Sequence, residues 1–297
     1  MMLWGIDLGG TKIEGALLDT AHPGTAAHRL RIPTEGGRGY EHVLEQITRL
    51  IENLERQSGL SRPARIGIGT PGAIEPTTGQ LKNSNTRCLN GRTLRDDLSR
   101  TLGVQALLAN DANCFALAET KWGAGRGAGV VFGLILGTGV GGGLVVDGKL
   151  VSGLHGIAGE WGHNPIPGES TPCYCGRLGC VETVLAGPSL ERFYHEISGV
   201  PRKLPEIVAR AAEDAHARAT LNRLREKFGV ALAAVLNIVD PDAVVIGGGV
   251  GNLPLLYEEA TRHAVKAHVF NPELRTRILP PLLGDSAGVF GAALLAA

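Results

Sequence analysis

The chain lacks an excess of charge of either sign: Lys and Arg total 29, Asp and Glu total 29, in 297 residues. It also lacks any long block of like charge. These absences exclude a nucleic-acid groove and a polybasic membrane patch, and leave a small soluble ligand as the expected partner. No apolar run approaches the ~20 residues that span a bilayer. The first residues have neither the charged start nor the apolar centre of a signal peptide, so a cytoplasmic location is expected. A disulfide framework is missing too. The cysteines, at 88, 114, 173, 175 and 180, are odd in number, which fits a reducing compartment.

Glycine, in contrast, is abundant: 43 of 297 residues, about twice the ~7% norm. Most of it punctuates apolar runs, where it reads as turn geometry. Its most informative placement is a repeat. Residues 4–19 align without a gap on residues 132–147, an offset of 128 positions (5 to 133). Gly5/Gly133, Leu8/Leu136, Gly9/Gly137, Gly15/Gly143 and Asp19/Asp147 are identical pairs. Each copy reads as an apolar strand, a Gly/Thr-rich turn and a second apolar strand. Such a turn exposes backbone N–H groups with no side chain in the way, which suits a phosphate. Two of them facing each other would form a phosphate clamp in a cleft.

The rest of the pattern repeats as well. A third strand is expected at 28–32. Tyr40, Val43, Leu44, Ile47, Leu50, Ile51 and Leu54 then recur at helical spacing. Buried strands are expected at 65–69 and 106–109, with a helix resuming through Phe115, Leu117 and Trp122. In the second half, a hairpin at 130–146 precedes an irregular Cys-rich insert at 155–182. One long helical region is expected from 204 to 238, ending at Asp240-Pro241. A buried strand then meets the glycine turn at 247–249, and Asp285-Ser286-Ala287-Gly288 leads into a small-residue helix to the end of the chain. Trp4, Trp122 and Trp161 read as packing residues. A duplicated α/β protein with a cleft between its halves accounts for this order. The expected division is 1–116, with the helix 286–297 packed on it, and 117–285, which carries the insert.

DLGGTK at 7–12 is not a Walker loop, because the GxxxxGK[ST] spacing is absent and the pattern runs into a strand. Its amides, the Thr11 hydroxyl and the Lys12 charge suit phosphates, and Asp7 suits a metal ion; an ordinary tight turn with an exposed Lys is the plainer alternative. Asp111, where a strand meets a helix, can act as a general base or as a helix cap. Position alone favours the cap. His163, Cys173, Cys175 and Cys180 offer one imidazole and three thiols, a donor set for a closed tetrahedral zinc site. Redox-active or merely buried thiols are the alternative.

DLGGTK, NDAN at 110–113, GTGVGGG at 137–143, Glu160-Trp161-Gly162-His163 and CYCGRLGCVET at 173–183 together resemble the ROK family (repressors, open reading frames and sugar kinases). The resemblance covers essentially the whole chain. It implies the two-domain actin-like, hexokinase-type (ribonuclease H-like) ATPase fold, and transfer of the γ-phosphoryl group of ATP, with Mg²⁺, to a sugar hydroxyl. It makes Asp111 the base. Asn85, Asn110, Glu160, His163 and Glu182 become sugar ligands, with His163 also reaching the structural zinc. Asp7, Gly9, Gly10, Thr11, Lys12, Gly137, Thr138, Gly139, Gly141, Gly247, Gly248 and Gly249 fall to the nucleotide. A homodimer is usual in similar proteins. Where the family often has a Trp before Asn-Gly, this chain has Leu89 before Asn90-Gly91.

Family repressors carry a helix-turn-helix domain ahead of the first hairpin; only six residues precede Asp7 here, so a kinase is expected. A sugar-sensing regulator without a DNA-binding domain is the non-enzyme alternative. Residues 163–167 and 173–176 resemble the fructokinase/mannokinase branch, whereas 110–117 and 134–144 resemble bacterial N-acetylglucosamine kinases. The expected substrate is therefore fructose, with mannose or glucose as side activities and phosphorylation at the 6-hydroxyl. N-acetylglucosamine kinase or glucokinase is the alternative.

Overall fold

The computed structural model describes residues 1–297. In chain order, β1 (Met2–Leu8) and β2 (Lys12–Asp19) are followed by β3 (Ala26–Pro33), α1 (Tyr40–Ser58) and β4 (Arg65–Thr70). Next come the short β5 (Ala73–Ile74) and β6 (Leu81–Lys82), α2 (Leu94–Leu102), β7 (Gln105–Asn110) and α3 (Asp111–Lys121). The second half opens with β8 (Val130–Leu136), β9 (Val140–Val146) and β10 (Lys149–Leu150). Then follow α4 (Val181–Leu185), α5 (Gly187–Ser198), α6 (Leu204–Arg210) and α7 (Ala215–Val239). The chain ends with β11 (Ala243–Gly247), α8 (Gly248–Gly251), α9 (Glu259–Lys266), β12 (Arg277–Leu279) and α10 (Ala287–Leu294).

The duplication seen in the hairpins extends to sheet topology. One five-stranded sheet has the order β3-β2-β1-β4-β7, the other β10-β9-β8-β11-β12. β1 is parallel to β4, and β4 to β7; likewise β8 is parallel to β11, and β11 to β12. In each sheet, then, a hairpin supplies one side and crossover connections supply the other. The chain divides into two compact units: Met1–Gly127 with Gly143–Ala158 and Leu282–Ala297, and Ala128–Gly142 with Gly159–Pro281.

In the first unit, α1 lays Val43, Ile47, Leu50, Ile51 and Leu54 against Ile6, Ile13 and Leu17 of the sheet, all fully buried. Each such side chain contributes roughly 1.5–3 kcal/mol of burial. Leu89, at the family's Trp position, is fully buried in the same core. Glycine has a second use here beyond turns. A Cβ on Gly67, in the middle of β4, would stand 1.7 Å from the Ala292 carbonyl oxygen, and one on Gly291 would stand 1.7 Å from that of Cys114. Missing side chains let α10 lie directly on the sheet and on α3.

In the second unit, Trp161 is buried edge-on between Phe132 and Phe228, and its Nε1–H donates to the Ala231 carbonyl at 3.0 Å. The single helical region expected at 204–238 is two helices. Asp214 stops the run: its carboxylate accepts from the His216 and Ala217 N–H groups and caps α7.

Candidate active site

Two carboxylates stand out in the first unit. Asp7 lies near the end of β1, paired across the hairpin with Glu14. Burial pushes the Asp7 carboxyl up from its ordinary 3.8 to about 7, and the charges of Asp111 and Glu14 add to the shift against Lys12 and Arg31. Glu14 is itself buried, held by the Nε–H groups of Arg29 and of Arg31, the latter at 2.7 Å. Asp7 is closely fenced by backbone: a Cβ on Gly288 would stand 3.1 Å from its Oδ2, and one on Gly69 would stand 3.5 Å from its Oδ1.

Asp111 is the first residue of α3, but it is not the cap. Asn110 holds the N-cap position; its Oδ1 accepts from the Ala112 N–H at 2.9 Å, and its Nδ2 donates to the Gly72 carbonyl at 3.0 Å. Asp111 keeps solvent-accessible surface. The protein around it still raises its pKa by desolvation, against hydrogen bonds from the Ala112 N–H and the Asn110 side chain.

The turn at 9–12 is braced by the residue that follows β3. The Gly9 N–H donates to the Lys12 carbonyl at 3.0 Å, and Thr34, fully buried, donates its hydroxyl to the Gly9 carbonyl at 2.6 Å while its N–H reaches the Thr11 carbonyl. Gly10, Thr11 and Lys12 are left exposed at the tip. Gly10 faces Asn85, whose Oδ1 lies 3.9 Å from where a Cβ would be. The loop carrying Asn85 is locked by Asn90, which both accepts from the Ser84 N–H and donates to the Ser84 carbonyl.

In the second unit, the turn after β8 is closed by the Gly137 N–H donating to the Gly139 carbonyl at 2.9 Å, with Thr138 exposed. The 247–249 turn approaches it: the Gly249 nitrogen lies 3.9 Å from where a Gly137 Cβ would be. Gly248 has φ +87°, and a Cβ there would stand 2.3 Å from the Leu136 carbonyl oxygen, so glycine is required twice over. Gly141 lies inside β9, outside the turn. Glu182, on α4, accepts the Val140 N–H at 2.9 Å. Glu160 precedes the short turn Trp161–His163, which ends at His163.

His163, Cys173, Cys175 and Cys180 converge, with their ligand atoms within 4.8 Å of one another. His163 Nδ1 lies 3.6 Å from Cys173 Sγ, and Cys175 Sγ lies 3.6 Å from Cys180 Sγ. Zinc–sulfur bonds of about 2.3 Å in a tetrahedron require ligand separations of about 3.8 Å. All five cysteines are free thiols. The donor set and its spacing fit a closed zinc site. Three supporting residues escaped sequence reasoning: Thr34, whose partners are in the 9–12 turn, Glu14, whose partners are on β3, and Tyr174, whose hydroxyl lies 3.0 Å from His163 Nε2. Only the position of Tyr174 between two ligands hinted at its role.

No helix is long and apolar enough to cross a membrane. The model of the ROK family matches residues 3–297. The chain is 37% identical to N-acetyl-D-glucosamine kinase of Aliivibrio fischeri, covering 99% of both chains. It is 35% identical to an N-acetylgalactosamine kinase of a Shewanella species, covering 99% of this chain and 96% of that one. A solved ROK hexokinase from Thermus thermophilus superposes with a TM-score of 0.88 at 33% identity, covering 99% and 97% of the two chains. These relatives do not support the expected fructose specificity. The stretches behind that expectation build the metal cluster, and Pro165 pairs with Cys180 as part of it; they record how the insert folds more than which sugar it meets. With paired sheets of one topology and relatives of this kind along its full length, the chain belongs to the ROK family and is a sugar kinase with the actin-like ATPase fold.

Proposed function

We propose that this chain is an ATP-dependent kinase of N-acetylated hexosamines, phosphorylating the 6-hydroxyl. The full-length similarity to an N-acetylglucosamine kinase and an N-acetylgalactosamine kinase supports the substrate class. The observation that carries the chemistry is the start of α3: Asn110 holds the N-cap, and Asp111, whose Oδ1 shares the Ala112 N–H at 2.8 Å, keeps solvent-accessible surface for a substrate.

Asp111 accepts the proton of the attacking hydroxyl, and its raised pKa strengthens it as a base relative to an ordinary carboxylate. Asn85, Asn110, Glu160, His163 and Glu182 are assigned to sugar hydroxyls by the resemblance to the family. The turn amides not used within the turns, from Gly10 on in the first and from Thr138 on in the second, suit phosphate oxygens, and Lys12 adds charge. A divalent ion accompanying ATP neutralises phosphate charge. Asp7 fits it, because a buried carboxylate with two acidic neighbours gains from a cation. The three thiols and His163 are assigned to a structural zinc.

Steady-state ADP release with N-acetylglucosamine, N-acetylgalactosamine, glucose, mannose and fructose tests the reading. The highest kcat/KM is expected for an N-acetylated sugar. A clear preference for fructose would restore the first expectation and reject this one.

A further inference from the structure

The metal cluster and the 137–140 turn share a physical connection that neither motif reveals by itself. Cys180, the last thiol of the cluster, is the residue at which α4 begins, and its carbonyl accepts the Thr183 hydroxyl at 2.7 Å. The Val181 N–H is fixed on the Asn164 carbonyl, next to His163, at 2.9 Å. One residue further on, the Glu182 carboxylate accepts the Val140 N–H at 2.9 Å. At the start of α5, the Gly187 N–H donates to the Gly137 carbonyl at 2.8 Å. The segment 180–187 therefore holds the turn at both ends and is anchored in the cluster at its own start.

Gly139 completes the fit. A Cβ there would stand 2.7 Å from Glu182 Oε2, so the turn and the carboxylate are in direct contact. Ser189 adds a hydrogen bond from its hydroxyl to the Glu182 carbonyl at 2.9 Å, which fixes the backbone carrying the carboxylate.

We infer that Glu182 is a positioning residue for nucleotide binding: through it the zinc cluster sets the conformation of the 137–140 turn. This rests on the reading of that turn as a phosphate site. A carboxylate accepting a backbone N–H is among the stronger hydrogen bonds in a protein, and it fixes the outgoing limb of a turn whose own residues are mostly glycine. Without it, the exposed amides of the turn lose a single conformation and must be ordered by the ligand.

Three measurements test the inference: amide hydrogen exchange at 137–140, ADP titration with Mg²⁺ in the absence of sugar, and zinc content. Glu182→Ala is expected to speed exchange at 137–140 and to weaken ADP by about tenfold, the scale of one hydrogen bond to a charged group. Glu182→Gln retains an acceptor oxygen and is expected to recover most of both. Gly139→Ala displaces the carboxylate and is expected to reproduce the loss, with a double variant no worse than either single one. Removing zinc from the wild-type protein is expected to speed exchange at the same amides.

If exchange at 137–140 is unchanged in Glu182→Ala protein that retains its zinc, the coupling does not exist. If exchange quickens while ADP affinity holds, the coupling stands but the turn is not a phosphate site, and the positioning role falls with it. A Glu182 that served the sugar alone would raise sugar KM and leave both turn measurements untouched.

Discussion

Asn110 Oδ1 and Asp111 Oδ1 both accept the Ala112 N–H, at 2.9 and 2.8 Å: Asn110 holds the N-cap of α3, and Asp111 stands beside it on the first helical turn. Replacing them should give opposite phenotypes. Asp111→Asn is expected to lower kcat by about 10²–10⁴-fold, the usual range for a lost general base, with sugar affinity within a few-fold and melting temperature nearly unchanged. Asn110→Ala is expected to cost about 1 kcal/mol of stability as a lost cap. Turnover and thermal unfolding of the two variants check this; near-normal turnover in Asp111→Asn would remove the base assignment.

Asp7 makes the folded chain sensitive to pH. Its carboxyl titrates at about 7 in the folded protein against an ordinary 3.8. Between these values the folded chain keeps a proton that the unfolded chain has released. The contribution to stability is therefore full below about pH 4 and is lost as pH rises through 7. Asp7→Asn removes this dependence. The melting temperature of the variant relative to wild type is expected to rise from pH 4 to pH 7 and to level off above it. Adding Mg²⁺ at pH 8 should raise the wild-type melting temperature and leave the variant's unchanged, since an ion that binds only the folded state stabilises it by mass action.

Much of this architecture could be read from residue order because its determinants are local. The hairpins, the stripe on α1 and the cysteine spacing each lie within one or two dozen residues. The duplicated sheet followed from the repeat at 4–19 and 132–147. What escaped was decided by partners distant in sequence or by a single capping side chain. Residues 211–214 read as helix because Ala and Glu favour it, yet α6 ends at Arg210 and Asp214 caps the start of α7. Gly5 and Gly67 fall inside expected strands, where no local pattern says that their missing Cβ atoms admit α10. Asn110 and Asp111 are chemically so similar that only coordinates assign the cap. The link from Glu182 to Val140 spans 42 residues, beyond the reach of any local pattern.

Glu119 shows the same long reach in a structural role. Fully buried in α3, its carboxylate accepts backbone N–H groups from Ala124 at 2.8 Å, Leu282 at 3.1 Å and Leu283 at 2.9 Å. It thus ties the segment leading into α10 to the helix that carries Asp111. Removing it leaves three donors without their acceptor, at about 1–3 kcal/mol for each one that water cannot reach. Glu119→Ala is expected to lower stability by several kcal/mol in denaturant unfolding, far more than any exposed acidic residue such as Glu45. Equal effects at the two positions would mean that the three contacts carry no weight.

Tyr174 should control how tightly the cluster holds its metal. Its hydroxyl lies 3.0 Å from His163 Nε2, and its ring meets the imidazole edge-on at 5.2 Å. Accepting the Nε2–H fixes the tautomer that leaves Nδ1, the nitrogen beside Cys173 Sγ, free to bind a metal. Tyr174→Phe keeps the ring contact and loses only the acceptor. Zinc affinity, measured by competition with a chromophoric chelator, is expected to fall by about 10–100-fold, the range for a lost outer-shell partner. Cys175→Ser should do worse, releasing zinc outright and lowering the melting temperature. Should Tyr174→Phe hold zinc as tightly as wild type, the phenol has no part in orienting the histidine, and the ring contact alone must do so.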